Sequence, residues 1–157
     1  MELVKIDRHN VWDIVKLSVR EEQKDFVAPN GYSIIEAYAV SASGGTALPF
    51  GLYEDGAPVG FAMIGYGCED DKDPKIADGN YCLWRFMIDG RYQGRGLGKK
   101  AMAAVMDFIG TFPCGKAEYC WVSYEPENIA AKNLYRHFGF EENGEWDGDE
   151  AVAVLKL

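Results

Sequence analysis

The chain has 157 residues, of which 48% are hydrophobic and 26% charged, and this length is sufficient for one domain with a buried core. Its net charge of −9 disfavours nucleic acid as a partner, because binding to phosphate backbones requires a basic surface. No apolar run approaches the ~20 residues of a membrane-spanning helix, so the prediction is a single globular domain over 1–157 that does not enter a membrane.

The first 66 residues predict two helices followed by a hairpin. Apolar residues recur at helical spacing over 10–19, and a second helix is predicted over 33–42, after a turn at 29–31. Residues 48–66 contain two apolar stretches joined at Asp55-Gly56, a pair that is typical of a tight turn between antiparallel strands. The N-terminal residues lack the apolar segment of an export signal, which favours a cytoplasmic protein.

The remaining residues alternate between strands and helices. The predicted elements are a loop over 73–80, a strand over 81–88, a helix that begins near Leu97, a strand over 116–124, a helix over 128–138 and a closing hairpin from Phe140. The strand over 81–88 is apolar on both faces, as expected for a strand that is covered on each side. This order predicts an α/β or α+β fold in which helices pack on a central mixed sheet.

The four cysteines give no metal-binding pattern. Cys68, Cys82, Cys114 and Cys120 form no CxxC pair and lie in apolar or loop contexts. In a chain without a predicted export signal they are expected to be reduced thiols, which again favours the cytoplasm, and no metal site is predicted.

A glycine-rich segment, DGRYQGRGLGKKAM at 89–102, connects the strand over 81–88 to the next helix, and we call it the glycine corner. Free backbone amides at the start of a helix bind phosphate groups, and glycines let a phosphate approach the backbone closely. Basic side chains in the same segment add positive charge. The glycine corner therefore predicts a site for a phosphorylated ligand.

The glycine corner matches neither of the common nucleotide-binding patterns. A Walker loop requires Ser or Thr after Gly-Lys, whereas Gly98-Lys99 is followed by Lys100. The dinucleotide fingerprint G-x-G-x-x-G also fails, because Gly94-x-Gly96 leads to Lys99 at the position of the last glycine. The expected ligand therefore belongs to another class of phosphate compound.

Two motifs resemble those of the GNAT superfamily of acyl-CoA N-acyltransferases. Residues 93–98, QGRGLG, match the pyrophosphate pattern Q/R-x-x-G-x-G/A of the superfamily. The later pattern N-x-x-A-x-x-L-Y-x-x-x-G-F is matched at every fixed position, by Asn128, Ala131, Leu134, Tyr135, Gly139 and Phe140. One predicted strand separates the motifs, as in the superfamily. The resemblance implies a GNAT-type fold, in which a central mixed, mostly antiparallel sheet is flanked by helices.

The resemblance also implies a co-substrate, acetyl-CoA, and the residues that bind it. The pyrophosphate is expected on the glycine corner, at Gln93, Gly94, Arg95, Gly96, Leu97, Gly98 and Lys99. The main chain at Phe86, Met87 and Ile88 is expected to pair with the pantetheine arm and to supply an amide that stabilises an oxyanion. Asn128 and Tyr135 share one face of their helix and complete the expected cofactor site.

In the superfamily the tyrosine at the position of Tyr135 is the general acid, and the resemblance gives Tyr135 that role here. A neutral amine attacks the acetyl thioester, an oxyanion forms, and a thiolate leaves. Because a thiol has a pKa of about 8.5 and a tyrosine a pKa of about 10, a proton can pass between them with little driving force.

The group that deprotonates the amine is left open by the sequence. A primary ammonium has a pKa of about 10.4, so only about one molecule in 10³ is neutral at pH 7. Glu125, Glu21 and Glu22 are candidates for this role and for binding the substrate, and each is otherwise a solvated surface acid. Trp84 either lines the acceptor pocket or fills the core. No histidine is placed to activate Cys82 as a nucleophile.

Three stretches, at 19–30, 81–89 and 121–135, look most like bacterial polyamine N-acetyltransferases that act on spermine, spermidine or diamines. A polyamine carries several positive charges, which suits an acidic protein. The acids expected to hold its distal ammonium groups are Glu21, Glu22 and Asp25, with Glu36 beyond them. The expected partner is therefore a small cationic amine.

Two other functions remain open at this point. The acceptor can be a protein N-terminus or another small amine, and the chain can be a non-catalytic acyl-CoA-binding regulatory module. Tyr135 and the absence of a basic DNA-reading segment speak against the regulatory module. The oligomeric state is open as well, with a homodimer as one option.

Overall fold

The computed structural model describes residues 1–67 and 72–157, so Cys68 lies outside the described residues. The described strands are β1 (Glu2–Lys5), β2 (Ala47–Glu54), β3 (Ala57–Tyr66), β4 (Tyr81–Ile88), β5 (Tyr119–Tyr124), β6 (Glu141–Asp147) and β7 (Glu150–Lys156). The described α-helices are α1 (Val11–Val15), α2 (Asn30–Ala42), α3 (Leu97–Ile109) and α4 (Ile129–His137). Short 3₁₀ helices lie at Glu21–Phe26 and Lys75–Ala77.

The predicted order of strands and helices is confirmed from β2 onward, but the prediction was wrong at three places before it. The first helix ends at Val15, α2 begins at Asn30, and β1 was not predicted. Strand β1 has only four residues, which are too few to show the two-residue alternation of a strand.

The two helix boundaries differ from the prediction because of long-range hydrogen bonds. The amide of Ser18 donates to Asp89, 71 residues away, so the backbone after α1 leaves the helical path. The buried Asn30 side chain donates to the carbonyl of Ile14 at 2.9 Å, and a residue typical of turns thereby begins a helix. The spacing of apolar residues along the sequence gives no information about either hydrogen bond.

The seven described strands form one sheet in the order β1-β2-β3-β4-β5-β7-β6. Every neighbouring pair is antiparallel except β4 and β5, which are parallel and connected through α3. The predicted mixed, mostly antiparallel sheet with flanking helices is therefore confirmed.

Strands β4 and β5 pair only at their first residues. In the described sheet, Tyr81 lies opposite Cys120 and Cys82 opposite Trp121, and the two strands share no later pair. The register of β4 against β3 shifts at Trp84, which marks a β-bulge. Because a bulge bends its strand and increases the local twist, β4 turns away from β5 and the sheet opens into a cleft.

Each face of the sheet carries a hydrophobic core. The core under α3 and α4 includes five α3 residues at helical spacing, Leu97, Ala101, Met102, Val105 and Ile109. The core under α1 and α2 includes Ile14 and Ala37. Burial of a large apolar side chain stabilises a fold by roughly 1.5–3 kcal/mol, so these cores hold both helical layers against the sheet. Within the described ranges, none of the helices combines the length and the apolar character that crossing a membrane requires.

Candidate active site

A cavity of about 450 Å³ occupies the cleft where β4 and β5 diverge. Its walls come from β4, the end of β5, the glycine corner, α4 and the 3₁₀ helix at Glu21–Phe26. The site residues expected from the sequence that line this cavity are Trp84, Phe86, Met87, Ile88, Gln93, Gly94, Gly96, Leu97, Gly98, Asn128 and Tyr135. Arg95, Lys99, Glu21, Glu22 and Glu125 lie outside the lining.

The cavity is lined from both faces of the sheet. Leu83 and Tyr135 belong to the core under α3 and α4, whereas Met87 packs in the core under α1 and α2. Tyr124 lies on the α3 and α4 side, so its neighbour Ser123 points to the opposite face, because side chains alternate along a strand. Two ligands that bind on opposite faces can therefore meet in this cleft.

The glycine corner presents free backbone amides at the start of α3. Gly94 and Gly96 have φ angles of 78° and 77°, in the left-handed region that favours glycine. Gly96 is the N-cap of α3 and provides no side-chain cap, and within the described residues no group accepts a hydrogen bond from the amides of residues 94–99. The space beside both glycines is open. An anion can thus approach amides whose helix dipole favours negative charge.

Two of the four basic side chains of the glycine corner are neutralised by nearby acids. Arg91 pairs with Asp89 at 2.7 Å, and Lys100 pairs with Glu54. Arg95 and Lys99 are exposed, and neither forms an ion pair within the part of the chain that the structure describes. These two side chains remain available to a phosphate group.

Asp89, directly after β4, fixes the segment after α1 beside the cavity. Its buried carboxylate accepts hydrogen bonds from the amide of Ser18 at 3.0 Å and from the side chain of Arg91 at 2.7 Å. The amide of Gly90 donates to the carbonyl of Ser18 at 2.8 Å. Burial alone would raise the pKa of Asp89, but the hydrogen bonds from Arg91 and Ser18 outweigh burial and hold that pKa below its usual value.

Gln93 makes a second connection between the glycine corner and the segment after α1. Its side-chain amide donates to the side-chain oxygen of Gln23 at 2.8 Å and to the carbonyl of Ile88 at 2.9 Å. Gln23 lies on the 3₁₀ helix that forms one wall of the cavity. The anion-binding corner and this wall are therefore held in one arrangement.

Helix α4 is fixed at its start and along its side. The side chain of Asn128 accepts a hydrogen bond from the amide of Ala131 at 3.1 Å, which caps the helix. Lys132 pairs with Glu142 of β6 at 2.8 Å, and the hydroxyl of Tyr124 donates to the same carboxylate at 2.9 Å. These two bonds, that of Lys132 first, lower the pKa of Glu142.

Tyr135 is the residue of α4 that is buried against the sheet. Its ring packs on Tyr124 and Phe140, with centroid distances of 5.6 and 5.8 Å. Burial raises the pKa of Tyr135 above the ordinary value of 10, and the nearby Cys82 and Glu150 raise it further. The phenol therefore keeps its proton at neutral pH. It is a weaker acid than a free tyrosine of pKa about 10, so it can give up this proton only to an acceptor on which negative charge develops within hydrogen-bond distance.

The predicted acceptor residues do not all line the cavity. Glu21 and Glu22 are exposed, and Glu21 pairs with Lys24 at 2.5 Å. Glu125 is half-buried just after β5. Asp25 lies on the same 3₁₀ helix as Glu21 and does line the cavity.

The described cysteines are free thiols, and the described acids are not clustered. Cys82, Cys114 and Cys120 are free thiols, and burial raises the pKa of Cys82 well above its ordinary value. Among the described residues, no group of three or more His, Cys, Asp or Glu side chains is placed to hold a metal ion. The polar groups that the cavity lining presents include the phenol of Tyr135, the backbone amides of the glycine corner and the carboxylates of Asp25 and Glu150.

The sequence model of the acetyltransferase (GNAT) family matches residues 9–140. The chain belongs to this family. It is 44% identical over 110 residues to a spermine/spermidine N(1)-acetyltransferase of Bacillus subtilis strain 168, a match that covers 69% of this chain and 70% of the relative. A probable spermine N(1)-acetyltransferase of B. subtilis subsp. natto matches with the same identity and coverage. The predicted membership is confirmed.

Solved acetyltransferase structures share the fold of this GNAT protein. The aminoglycoside acetyltransferase AAC(6')-Ib in complex with coenzyme A has a TM-score of 0.76 at 19% identity, over 98% of this chain and 93% of the other. The PaiA N-acetyltransferase of Thermoplasma acidophilum, also in complex with coenzyme A, has a TM-score of 0.66 at 14% identity, over 99% and 98%. These likenesses establish the GNAT fold.

The cavity residues of this acetyltransferase that were not predicted for its site include Arg85, Ser123 and Glu150. Arg85 donates to Glu36 of α2 at 3.1 Å, and Ser123 and Glu150 lie on adjacent antiparallel strands. None of the three belongs to a family motif, and their positions depend on the bulge in β4 and on strand register. Asp89 was not predicted either, because nothing in its local sequence indicates that it is buried.

Proposed function

We propose that the chain transfers an acetyl group from acetyl-CoA to a primary amine of a polyamine, such as spermine or spermidine, by direct attack on the thioester. One observation carries the proposal: a single cavity joins the glycine corner to Tyr135 and to two carboxylates, Asp25 and Glu150. The 44% identity to a B. subtilis spermine/spermidine N(1)-acetyltransferase supports the choice of acceptor.

Acetyl-CoA supplies the acetyl group in activated form, as a thioester. Its pyrophosphate is expected at the free amides of residues 94–99, where Arg95 and Lys99 add positive charge. Beyond Cys82 the edge of β4 that faces β5 has no partner among the described strands, so its backbone groups can bind the pantetheine arm. Coenzyme A is bound in the related structures AAC(6')-Ib and PaiA, which supports this donor.

Tyr135 is the proposed donor of the proton that the leaving thiolate takes. Burial keeps its phenol protonated, and the fixed position of α4 holds it at the cavity. As the C–S bond breaks, the hydrogen bond from the phenol to sulfur strengthens and the proton passes across. A positioned general acid accelerates a reaction by roughly 10²–10⁴-fold.

Asp25 is the proposed partner of a distal ammonium group. Within the described residues it forms no ion pair, and it lines the cavity from the 3₁₀ helix. Glu21 and Glu22 lie farther out on the same helix and are expected to attract the polyamine over a longer distance. Exposed charges are screened beyond about 8–10 Å at ordinary salt, so the effect of Glu21 and Glu22 should shrink with added salt.

Release of free thiol from acetyl-CoA across a panel of amines tests this function. At equal concentration, spermine and spermidine are expected to react faster than propylamine, an aminoglycoside or a peptide with a free N-terminus. Asp25→Asn should raise KM for spermine by about 3- to 5-fold and leave KM for propylamine nearly unchanged. Glu21→Gln is the matched control on the same helix, and its effect should be smaller because Lys24 already pairs with Glu21.

Each alternative function has its own result in this assay. A preference for the peptide N-terminus, or for an amine with a neutral tail, would exclude the polyamine and leave an acetyltransferase. Absence of transfer to any amine would favour an acyl-CoA-binding regulatory module. The cytoplasmic location and the homodimer stay predictions.

A further inference from the structure

Glu150 is a carboxylate of the cavity lining that no basic side chain neutralises. It is the first residue of β7 and is half-buried. Two acids next to the cavity are paired, Glu36 with Arg85 and Asp89 with Arg91, whereas Asp25 at the far wall of the lining has no ion pair within the described residues. Within the described residues, no Lys or Arg lies within ion-pair distance of Glu150. A cation that enters the cavity therefore meets an uncompensated negative charge there.

Ser123 orients the side chain of Glu150, but its hydroxyl fills only part of the hydrogen-bonding capacity of that carboxylate. The Ser123 hydroxyl lies within hydrogen-bond distance of Glu150 and, at 3.2 Å, of Asp147. A hydroxyl has a single proton, so it can donate to only one of the two carboxylates at a time. An ammonium group brings three N–H donors together with a positive charge, which is the chemistry that Glu150 lacks.

Glu150 lies at the reacting end of the cavity. Strand β7 pairs with β5, and Ala151, next to Glu150, lies opposite Tyr124. The negative charge of Glu150 also acts on the phenol of Tyr135 and contributes to the raised pKa of that tyrosine. The proposed role of Tyr135 is to protonate the sulfur that the attacking nitrogen replaces. An ammonium group bound at Glu150 is therefore close to the thioester.

We propose that Glu150, oriented by Ser123, binds the ammonium group of the reacting nitrogen and accepts one of its protons before attack. This inference rests on the proposed acetyl transfer and adds the identity of the proton acceptor. One N–H bond breaks and an O–H bond forms on Glu150. The free electron pair of nitrogen forms the C–N bond, and the C–S bond breaks as sulfur takes the phenol proton of Tyr135.

The proton balance of the step closes with these two residues. The nitrogen gives a second proton to the phenolate of Tyr135 and keeps the third in the amide product. Glu150 releases its proton to solvent. One ammonium and one thioester thus become one amide, one thiol and one free proton.

Glu150→Gln removes the negative charge and keeps the shape of the side chain and its bond to Ser123. With saturating acetyl-CoA, kcat/KM is expected to fall by roughly 10- to 100-fold, the worth of a hydrogen bond to a charged group. The factor should be the same for spermine and for propylamine, since each presents one reacting nitrogen. Acetyl-CoA affinity, measured by calorimetry, should not change, whereas a general loss of structure would lower it.

Asp149→Asn is the matched control for this variant. Asp149 is the exposed neighbour of Glu150, lies outside the cavity lining, and loses the same formal charge. Its kcat/KM should stay within about twofold of wild type, because exposed charges contribute little. Equal effects of Glu150→Gln and Asp149→Asn would overturn the inference. A loss for spermine without a loss for propylamine would also overturn it, since Glu150 would then bind a distal ammonium group.

Ser123→Ala decides the question if Glu150→Gln does not fold. It removes the hydroxyl that orients Glu150, and kcat/KM should fall for both amines by a smaller factor. An unchanged kcat/KM for Ser123→Ala would then contradict the inference. The amine preference of the wild type tests the proposed function separately: if another amine is preferred, the same comparison is made with that amine. Failure of the wild type to acetylate any amine would remove both proposals.

Discussion

Tyr135 combines burial, fixed packing and a retained proton in one side chain. Tyr135→Phe keeps the ring contacts with Tyr124 and Phe140 and removes only the hydroxyl. We expect kcat to fall by roughly 10²–10⁴-fold, because the proposed general acid is lost. The melting temperature and the acetyl-CoA affinity, measured by calorimetry, should stay close to those of the wild type.

The control for Tyr135 is a tyrosine outside the cavity. Tyr119→Phe removes a hydroxyl from β5 at a position that does not line the cavity, and kcat should change by less than about twofold. The raised pKa of Tyr135 also predicts that its phenol stays protonated up to at least about pH 10, so kcat should show no loss from this group below that pH. A near-normal kcat for Tyr135→Phe would mean that another group protonates the thiolate.

The basic residues of the glycine corner differ in how far they are already neutralised. Replacing both Arg95 and Lys99 with Ala removes the two cations without an acidic partner in the described chain, and acetyl-CoA should bind about 5- to 30-fold more weakly. Lys100→Ala removes one positive charge, from a side chain that already pairs with Glu54, so affinity should stay within about twofold. Calorimetry at two salt concentrations measures the acetyl-CoA affinity of both variants. Equal losses of affinity would contradict the distinction between paired and unpaired basic side chains.

At the scale of elements, the segment after α1 depends on one buried carboxylate. Asp89→Asn weakens the bonds to Ser18 and Arg91 and should lower the free energy of unfolding by about 1–3 kcal/mol. Asp13→Asn is the control, because Asp13 belongs to an exposed pair with Lys16 that contributes little. Urea denaturation measures both variants. A loss for Asp89→Asn no larger than the loss for Asp13→Asn would contradict the anchoring role.

The pKa of Asp89 fixes the pH range of this effect. Because the folded pKa is lowered, the stabilisation is present above the unfolded pKa of about 3.9 and is lost as the pH falls through the folded value. The difference between wild type and Asp89→Asn in the free energy of unfolding should therefore be full at pH 7 and should shrink below about pH 4. If this difference in the free energy of unfolding grew as the pH fell, the ionised carboxylate of Asp89 would not be the stabilising group.

The elements that the sequence predicted well are those whose signals are local. The turn at Asp55-Gly56, where both residues have positive φ, and the buried stripe of α3 can be read within a few residues. Asn30 and Asp89 could not be assigned in the same way, because their roles come from partners 16 and 71 residues away. Local propensity describes a segment, whereas tertiary contacts decide where it ends.

The same distinction between local signals and tertiary contacts applies to the candidate site. The glycine corner and Tyr135 follow from motifs with fixed spacing on single elements. Arg85 enters the cavity through the bulge in β4, and Ser123 meets Glu150 through the pairing of β5 with β7. No periodicity within one segment contains information about such cross-strand neighbours. The sequence therefore predicted the glycine corner and Tyr135 as parts of the candidate site, whereas the places of Arg85, Ser123 and Glu150 in the cavity depend on the sheet.

At the scale of the whole molecule, the split between β4 and β5 opens one cavity to both faces of the sheet, and in the proposed reaction the two substrates would enter from opposite faces. The glycine corner precedes α3, which covers one face of the sheet. Asp25 belongs to the segment that precedes α2, which covers the other face. Both substrates can then be bound at once, and no covalent carrier on the protein is needed. The net charge of −9 further favours the approach of a cationic acceptor.

This arrangement predicts a ternary complex and no acetyl-enzyme. Cys82 is an unsuitable nucleophile, because burial raises the pKa of its thiol well above the usual value, and burial raises the pKa of Cys120 to about 12. We therefore expect intersecting double-reciprocal lines when acetyl-CoA and spermine are varied together, and no change in protein mass after incubation with acetyl-CoA alone. Cys82→Ala should keep kcat within about threefold of wild type, since a thiol that stays protonated does not attack a thioester. Parallel lines, or a mass increase of one acetyl group that Cys82→Ala abolishes, would instead mean that the acetyl group passes through the protein.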